Sequence, residues 1–288
     1  MIGRRRVIQI MAATAAAIPL RAHAGVERWR GRAMGADVSL DLFGANSQTV
    51  AAAKDLILAL EARFSIYDPT SELSQLNAAG HGRMSDHMRR LVTLCHEMHD
   101  LTGGMFDPTV QPVFAALAAG KQPDWTVVGW NKVTRNADEI ILGPNQRITF
   151  NGIAQGYVTD RVRDLLWDHG LRHALVNIGE HASIGGPFRL SLEDPIAGRV
   201  GYRTLVDSAV ATSSPTQLLI GQHTHILHPT GGQAYWSSVS VEARDAARAD
   251  ALSTAMCLMP RNKIKTLARL TETQATMIDL QGDLSRFG

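Results

Sequence analysis

Asp250 and Thr254 lie four residues apart in a segment, 245–259, whose apolar spacing predicts a helix. Residues at this spacing lie on one face of a helix, so a carboxylate and a hydroxyl would project one turn apart. Two hard oxygen donors suit Mg²⁺, which takes one or two protein ligands and completes its shell with water and substrate phosphate. The alternative is a solvated aspartate beside a threonine that bonds back to its own helix.

A second candidate site is the glycine-containing turn at 152–156. A strand-like run at 147–150 precedes this turn, and an amphipathic helix that ends at Gly170 follows it. Glycine lets backbone N–H groups approach an anion, and the N-terminus of the helix adds partial positive charge. The segment is therefore either a phosphate site or an ordinary turn between two elements.

Three histidines, His223, His225 and His228, form a third cluster. His223 and His225 would face the same side of a strand, as a Zn or Cu site requires. No acidic or thiol ligand lies near them in the sequence. A histidine that acts as a general base, or that is a polar residue at a strand end, fits better.

The composition of the 288 residues is that of a globular protein, with 45% hydrophobic and 19% charged residues. It predicts one large domain or two interlocked ones. The formal net charge is only +2, and the lysines and arginines are scattered along the chain. Nucleic acid is therefore not an expected partner. Aromatic residues, 6% of the chain, are also too few for a surface that stacks single strands.

Residues 1–24 have the features of an export signal rather than of a folded domain. Arg4-Arg5-Arg6 precedes an apolar, alanine-rich run, which ends at Ala22-His23-Ala24, a small-x-small cleavage pattern. The arginines resemble a twin-arginine signal, and a Sec signal is the alternative. The apolar run is shorter than the roughly 20 residues that span a bilayer. We therefore predict a periplasmic protein whose mature domain is 25–288.

Cys95 and Cys257 are the two cysteines of the chain, and each lies in an apolar, helix-like context. A free cysteine in such a context behaves as a small buried hydrophobic residue. Export would permit a disulfide, but spacing alone cannot establish one. We predict two buried thiols.

Helices and strands alternate along the chain without a regular βαβ rhythm. Helices are predicted at 50–64, 85–102, 157–169 and 245–259, and strands at 32–43, 173–178, 188–192, 202–206, 208–212 and 237–242. The segment 105–112, with two prolines, is predicted to be a rigid polar loop. This order favours an α+β fold with mixed, largely antiparallel sheets and flanking helices over a doubly wound fold.

Seven separated segments, in this order, carry a family resemblance that spans nearly all of residues 25–288. They are Met34-Gly35, Phe64–Tyr67 with Ser71–Asn77, Thr102–Val110, Gly152–Tyr157 with Asp160, Ala211–Ser213, His225–Gly231, and Ser238–Val241 with Ala249–Thr254. Together they resemble the FAD:protein FMN transferases, also called the ApbE family. Seven matches in the right order are far more specific than any one of them.

The resemblance implies a single compact, T-fold-like unit and an enzyme that cleaves the pyrophosphate of FAD with Mg²⁺. It would transfer FMN to a Thr or Ser hydroxyl of a periplasmic or membrane-anchored flavoprotein and release AMP. By position, the Mg²⁺ ligands would be Asp250, Thr254 and the main-chain carbonyl of Ala154, and the catalytic base would be His225. The residues implied to line the FAD site are Met34, Tyr67, Met105, Phe106, Asp107, Asn151, Tyr157 and Leu227.

The sequence departs from the family pattern at five positions. Gln155 stands where lysine is usual, Glu180 and His181 replace the last two residues of Gly-Gly-Asp, Ser214 replaces a glycine, and His228 replaces an aspartate. These departures concern rate and substrate preference rather than fold. Two alternatives to the transferase stay open: an FAD pyrophosphatase that gives FMN and AMP, and a non-catalytic flavin carrier or maturation chaperone.

Overall fold

A computed structural model of the chain describes residues 25–288. The predicted export signal, 1–24, lies outside these residues and stays a prediction, as does the domain boundary that follows it. The described helices are α1 (Ser47–Phe64), α2 (Glu72–Ala79), α3 (Asp86–Leu101), α4 (Gln111–Ala118), α5 (Ala154–Asp168), α6 (Ala246–Met256) and α7 (Arg261–Thr271).

The described strands divide among four sheets. In chain order they are β1 (Val26–Ala33), β2 (Ala36–Phe43), β3 (His81–Arg83), β4 (Thr134–Arg135), β5 (Glu139–Ile141), β6 (Ala174–Ile178), β7 (His181–Ile184), β8 (Phe188–Asp194), β9 (Gly198–Leu205), β10 (Ala209–Ser213), β11 (Leu219–Ile220), β12 (His223–Thr224), β13 (Ser238–Ala243), β14 (Gln274–Ile278) and β15 (Leu284–Phe287).

The main sheet has eight strands in the order β1-β2-β6-β7-β10-β13-β14-β15. Each neighbouring pair in it is antiparallel. Three small sheets, β3-β5-β4, β8-β9 and β11-β12, lie beside it and are also antiparallel. The architecture confirms the predicted α+β class with largely antiparallel sheets.

Both faces of the central strands are covered. On β6, Val176 belongs to the large core formed with helices α1, α3, α5 and α6, whereas its neighbour Leu175 packs under the β8–β9 hairpin. Successive side chains of a strand point to opposite faces, so burial of both faces favours apolar residues along the whole of β6, and four of its five residues are apolar, Asn177 being the exception. All five of its residues are buried.

Serine caps fix the starts of α2 and α3, and the second confirms the helix start predicted at residue 85. The Ser71 hydroxyl accepts a hydrogen bond from the backbone N–H of Ser74 at 2.9 Å, and the Ser85 hydroxyl accepts one from Met88 at 3.3 Å. A capping oxygen satisfies a backbone donor that has no partner inside the helix. The local sequence therefore fixes where α2 and α3 begin.

Several predicted elements differ from the structure. The single strand predicted at 32–43 is a hairpin, because Met34 and Gly35 adopt positive φ values of 53° and 76° and reverse the chain. The strand-like run at 147–150 is not a strand. In the predicted polar loop, Pro108–Val110 forms a 3₁₀ turn that leads into α4. Helix α7 and strands β14 and β15 were not predicted.

Both cysteines are free and buried, as predicted. Burial raises the pKa of each thiol, and at Cys95 the charge of Asp107 adds to the effect. Among residues 25–288, no helix has the length and apolar character needed to cross a membrane.

Candidate functional site

The site is built where α5 and α6 approach each other most closely. A Cβ at Gly156 would lie 2.3 Å from the carbonyl oxygen of Ala246, so only glycine fits between the two helices. The backbone N–H of Gly156 donates to Oδ2 of Asp250 at 3.1 Å. The contact between the helices thus places the Asp250 carboxylate against the first turn of α5.

Asp160, one turn further along α5, contacts the same first turn of α6. Its two carboxylate oxygens each accept a hydrogen bond of 2.9 Å, one from the backbone N–H of Ala246 and one from that of Ala247. Burial raises the pKa of Asp160 to about 6, against the opposing effect of Arg163 at 3.1 Å. A carboxylate at a helix N-terminus satisfies free donors and interacts favourably with the helix dipole. Asp160 therefore fixes the start of α6 and the register that carries Asp250.

Asp250 and Thr254 face one cavity, as their spacing predicts. Asp250 is only 3% exposed, which removes the alternative of a solvated aspartate. Thr254 Oγ1 lies 3.2 Å from the Ser213 hydroxyl, and a Cβ at Gly152 would lie 3.0 Å from the same oxygen. The turn at 152–156 is thus in direct contact with the predicted metal pair.

Glu180, in the turn between β6 and β7, adds a second buried carboxylate to the same cavity. Its Oε2 accepts a hydrogen bond from the backbone N–H of Thr212 at 3.0 Å. Burial and the nearby charge of Asp250 raise the pKa of Glu180, and burial raises that of Asp250 to about 7. No lysine or arginine among residues 25–288 forms an ion pair with either carboxylate.

Eight of the twelve predicted site residues line this cavity. They are Met105, Phe106, Asp107, Asn151, His225, Leu227, Asp250 and Thr254. Further lining residues were not predicted as site residues, among them Gln155, Glu180, Ser213, Ser214 and Gln217. The sequence does mark three of these, because Gln155, Glu180 and Ser214 are positions of departure from the family pattern.

Tyr157 does not line the cavity. It is 4% exposed, its hydroxyl lies 2.9 Å from Nδ1 of His87, and its ring packs edge-on against Phe64. Two positions along an α-helix correspond to a rotation of about 200°, so Tyr157 points away from the cavity that Gln155 faces. The implied contact of Tyr157 with FAD stays a prediction that this geometry does not support.

Tyr67, Ala154 and Met34 also lie outside the cavity lining. Tyr67 is 84% exposed and borders a separate depression together with Arg147. Ala154 is buried and is the first residue of α5, so it belongs both to the helix and to the 152–156 turn. Met34 touches the site indirectly, since its carbonyl oxygen accepts a hydrogen bond from Gln155 Nε2 at 3.0 Å. The assigned roles of these three residues stay predictions.

Asp107 organises one wall of the cavity. Oδ1 accepts the backbone N–H of Thr109 at 2.8 Å, and Oδ2 accepts that of Trp130 at 3.1 Å. Next to it, the carbonyl oxygen of Phe106 lies 3.0 Å from Nδ1 of His99. These bonds hold the Phe106 loop in place, so the segment predicted as a polar loop is a buried, rigid part of the site.

His225 lies on the opposite wall, directly after β12. Its Nδ1 is 3.2 Å from the carbonyl oxygen of Leu218. A carbonyl only accepts hydrogen bonds, so a ring N–H of His225 is the donor in this contact. Burial lowers the pKa of His225, and hydrogen bonding to the carbonyls of Leu218 and Pro215 opposes that shift. The ring is therefore neutral near pH 7 and can accept a proton.

The oxygen donors of the cavity fit Mg²⁺ better than a transition metal. Within residues 25–288, no group of three or more His, Cys, Asp or Glu side chains could hold a metal ion. The three histidines do not converge: His223 is exposed, and the His228 ring contacts its own loop at Thr230. Two buried carboxylates without a cation, together with the Thr254 hydroxyl, are a donor set that Mg²⁺ accepts, with water and phosphate as further ligands.

Comparison with known proteins places the chain in a family. The sequence model of the ApbE family matches residues 34–278. A curated FAD:protein FMN transferase of Klebsiella pneumoniae (strain 342) is 30% identical over 121 residues, which are 38% of this chain and 38% of that relative. The chain thus matches little more than a third of the length of that relative.

Two solved structures show the same fold over nearly their whole length. The apo form of the flavinyl transferase ApbE of Pseudomonas stutzeri has a TM-score of 0.82 at 22% identity, with 93% of this chain and 97% of that chain covered. The flavin transferase ApbE of Vibrio cholerae has a TM-score of 0.79 at 23% identity, with 91% and 97% covered. The matched residues and the shared fold together show that the chain belongs to the ApbE family.

Proposed function

We propose that this protein transfers FMN from FAD to a Thr or Ser hydroxyl of an acceptor flavoprotein and releases AMP, with Mg²⁺ held by Asp250 and Thr254. The observation that carries the proposal is the cavity itself. It brings the buried Asp250, the Thr254 hydroxyl and the neutral His225 to one space, lined on one side by Phe106. The family membership and the named activity of the Klebsiella pneumoniae relative support the same chemistry.

The chain supplies binding surface and position for this reaction. Phe106 and Leu227 are buried apolar residues of the cavity that would contact the rings of FAD, and the oxygens of Asp250 and Thr254 would hold Mg²⁺ at its pyrophosphate. When bound, Mg²⁺ would offset the negative charge of the pyrophosphate and of the leaving AMP. Phosphoryl transfer needs little more from a protein than such positioning and electrostatic stabilisation.

In the transfer step, the acceptor oxygen attacks the phosphorus of the FMN half of FAD. The bond from that phosphorus to the bridging oxygen breaks, and AMP leaves with the bridging oxygen. The hydroxyl proton passes to the unprotonated ring nitrogen of His225. The products are the flavinylated acceptor and AMP, and His225 then returns its proton to solvent.

The test is incubation of the purified protein with FAD, Mg²⁺ and an acceptor domain that contains the target threonine. AMP with a covalently fluorescent acceptor supports the proposal. AMP with free FMN would show a pyrophosphatase instead. Bound, intact FAD without AMP would show a carrier or chaperone.

Two variants assign the roles in this assay. Asp250→Ala should abolish Mg²⁺-dependent turnover, whereas the exposed Asp55→Ala on α1 should not. His225→Ala should lose transfer and retain FAD binding, whereas His223→Ala, two residues away and exposed, should keep the parental rate. Parental turnover by Asp250→Ala would contradict the metal assignment, and full activity of His225→Ala would contradict the base.

The location follows from the sequence pattern of residues 1–24. We infer that the chain is exported, so the acceptor would be a periplasmic or membrane-anchored flavoprotein. Cell fractionation of the full chain and of a variant in which Arg4-Arg5-Arg6 is changed to lysines tests this. Export that depends on the paired arginines supports the twin-arginine route, and retention of both proteins in the cytoplasm would contradict export.

A further inference from the structure

Glu180 is an acidic residue held in a fixed position at the end of β6. The backbone carbonyl of Glu180 accepts hydrogen bonds from the N–H of Ile178 at 3.0 Å and from the hydroxyl of Thr159 at 3.3 Å. The side chain is 5% exposed and lines the cavity shared by Asp250 and Thr254. Because both the sheet and α5 hold this turn, the carboxylate is aimed into the cavity by the fold.

The partners of the two buried carboxylates are few and uncharged. Glu180 Oε2 accepts the N–H of Thr212, and Asp250 Oδ2 accepts the N–H of Gly156. Within residues 25–288, Glu180 Oε1 and Asp250 Oδ1 have no hydrogen-bond partner. Neither of these oxygens is fully enclosed by protein atoms. Each carboxylate therefore keeps one oxygen free toward the cavity that both residues line.

Within residues 25–288, no basic side chain of the cavity lining could balance these carboxylates. The lining within the described part of the chain includes no lysine or arginine. Gln155 stands where the family pattern has lysine, and its amide nitrogen donates to the carbonyl of Met34. Buried charges are normally paired or coordinate a metal. A pyrophosphate would add further negative charge to this space.

We propose that Glu180 is a second carboxylate ligand of the divalent cation, alongside Asp250 and Thr254. The proposal rests on the proposed function, since it concerns the same cation, and it adds a ligand that glycine at this position could not supply. Affinity for a hard cation rises with the number of charged oxygen ligands. The protein therefore binds the cation without FAD, and the cation rather than a lysine provides the positive charge in the cavity.

Calorimetric titration of the metal-free protein with MgCl₂ or MnCl₂, without flavin, tests this proposal. Glu180→Gln keeps an acceptor for the Thr212 N–H and removes the charge, so it should weaken binding by about tenfold or more. Glu193→Gln, on an exposed position of β8, is the matched control and should bind as the parent does. Equal affinity of Glu180→Gln and the parent would overturn the proposal.

A thermal denaturation readout separates a ligand from a structural residue. In EDTA, Glu180→Gln should melt at a higher temperature than the parent, because one of two like charges is gone. Saturating Mg²⁺ should raise the melting temperature of the parent more than that of the variant. A lower melting temperature in EDTA with the same rise in Mg²⁺ would show a structural role and overturn the proposal.

These measurements use no flavin and no acceptor, so they are independent of the transfer assay. Failure of transfer with Glu180-dependent metal binding would reject the proposed function alone. Transfer with metal binding that does not depend on Glu180 would reject the ligand role alone.

Discussion

Gly156→Ala tests the contact between α5 and α6 that positions Asp250. The added Cβ would lie 2.3 Å from the carbonyl oxygen and 2.6 Å from the carbonyl carbon of Ala246, and 2.7 Å from Cα of Ala247. The shortest of these contacts is about 0.7 Å closer than the 3.0 Å below which real Cβ atoms essentially do not occur. All three atoms are backbone, so no side chain can rotate away and the two helices must separate.

Two effects of opposite sign decide the magnitude. Alanine inside a helix is more favourable than glycine by about 1 kcal/mol. Overpacking a buried contact costs roughly 1–3 kcal/mol, and the cost is at the upper end or above when only backbone can move. The net loss should be about 2 kcal/mol. For a domain of this size that loss lowers the melting temperature by about 4–8 °C.

Thermal and urea denaturation of Gly156→Ala measure this loss. Gly82→Ala in β3 is the control, because its added Cβ would meet only Leu76 Cδ1 at an ordinary 3.8 Å. The Gly156 N–H also donates to Asp250, so the variant should lose Mg²⁺ affinity as the helices separate. Helix propensity alone predicts that Gly156→Ala is more stable than the parent. A variant that is as stable as the parent, or more stable, would therefore refute the close-contact argument.

Three further outcomes are expected. The transfer rate should fall as the pH drops through the pKa of His225, because a general base must be neutral. Burial lowers this pKa below its usual 6.5, so the fall should occur below that pH. If His225→Ala showed the same pH–rate profile, His225 would not be the base. Gln155→Lys should weaken Mg²⁺ binding in calorimetry, since an ammonium in the cavity competes for Glu180, and unchanged affinity would argue against that competition. Because Cys95 and Cys257 are buried, neither should react with a thiol reagent in the native protein, and both should react in urea. Rapid reaction of the native protein would contradict their burial.

Local features of the sequence determined much of the fold. Ser85 caps the helix that the pattern predicts from this residue, because a capping hydroxyl acts within three residues of itself. The four-residue spacing of Asp250 and Thr254 placed both on the cavity side of α6. These are short-range properties, for which spacing along the chain is enough.

Other features depend on backbone geometry that the pattern did not reveal. The alternation over 32–43 resembles one strand, yet positive φ at Met34 and Gly35 turns it into a hairpin. The prolines of 105–112 indicated a polar loop, but hydrogen bonds from Thr109 and Trp130 to Asp107 bury it. The second of these partners is distant in sequence, so local composition could not identify it.

The sequence by itself determined the family, the α+β class and the placement of Asp250 and Thr254 on one face of α6. Only the tertiary structure decided that Tyr157 faces the core and that Glu180 shares a cavity with Asp250. The position of Glu180 is set by the antiparallel order of β6, β7 and β10, and that of Asp250 by the contact of α6 with Gly156. Residues so far apart in sequence meet because sheet order and helix packing bring them together, and no spacing rule along the chain encodes that meeting.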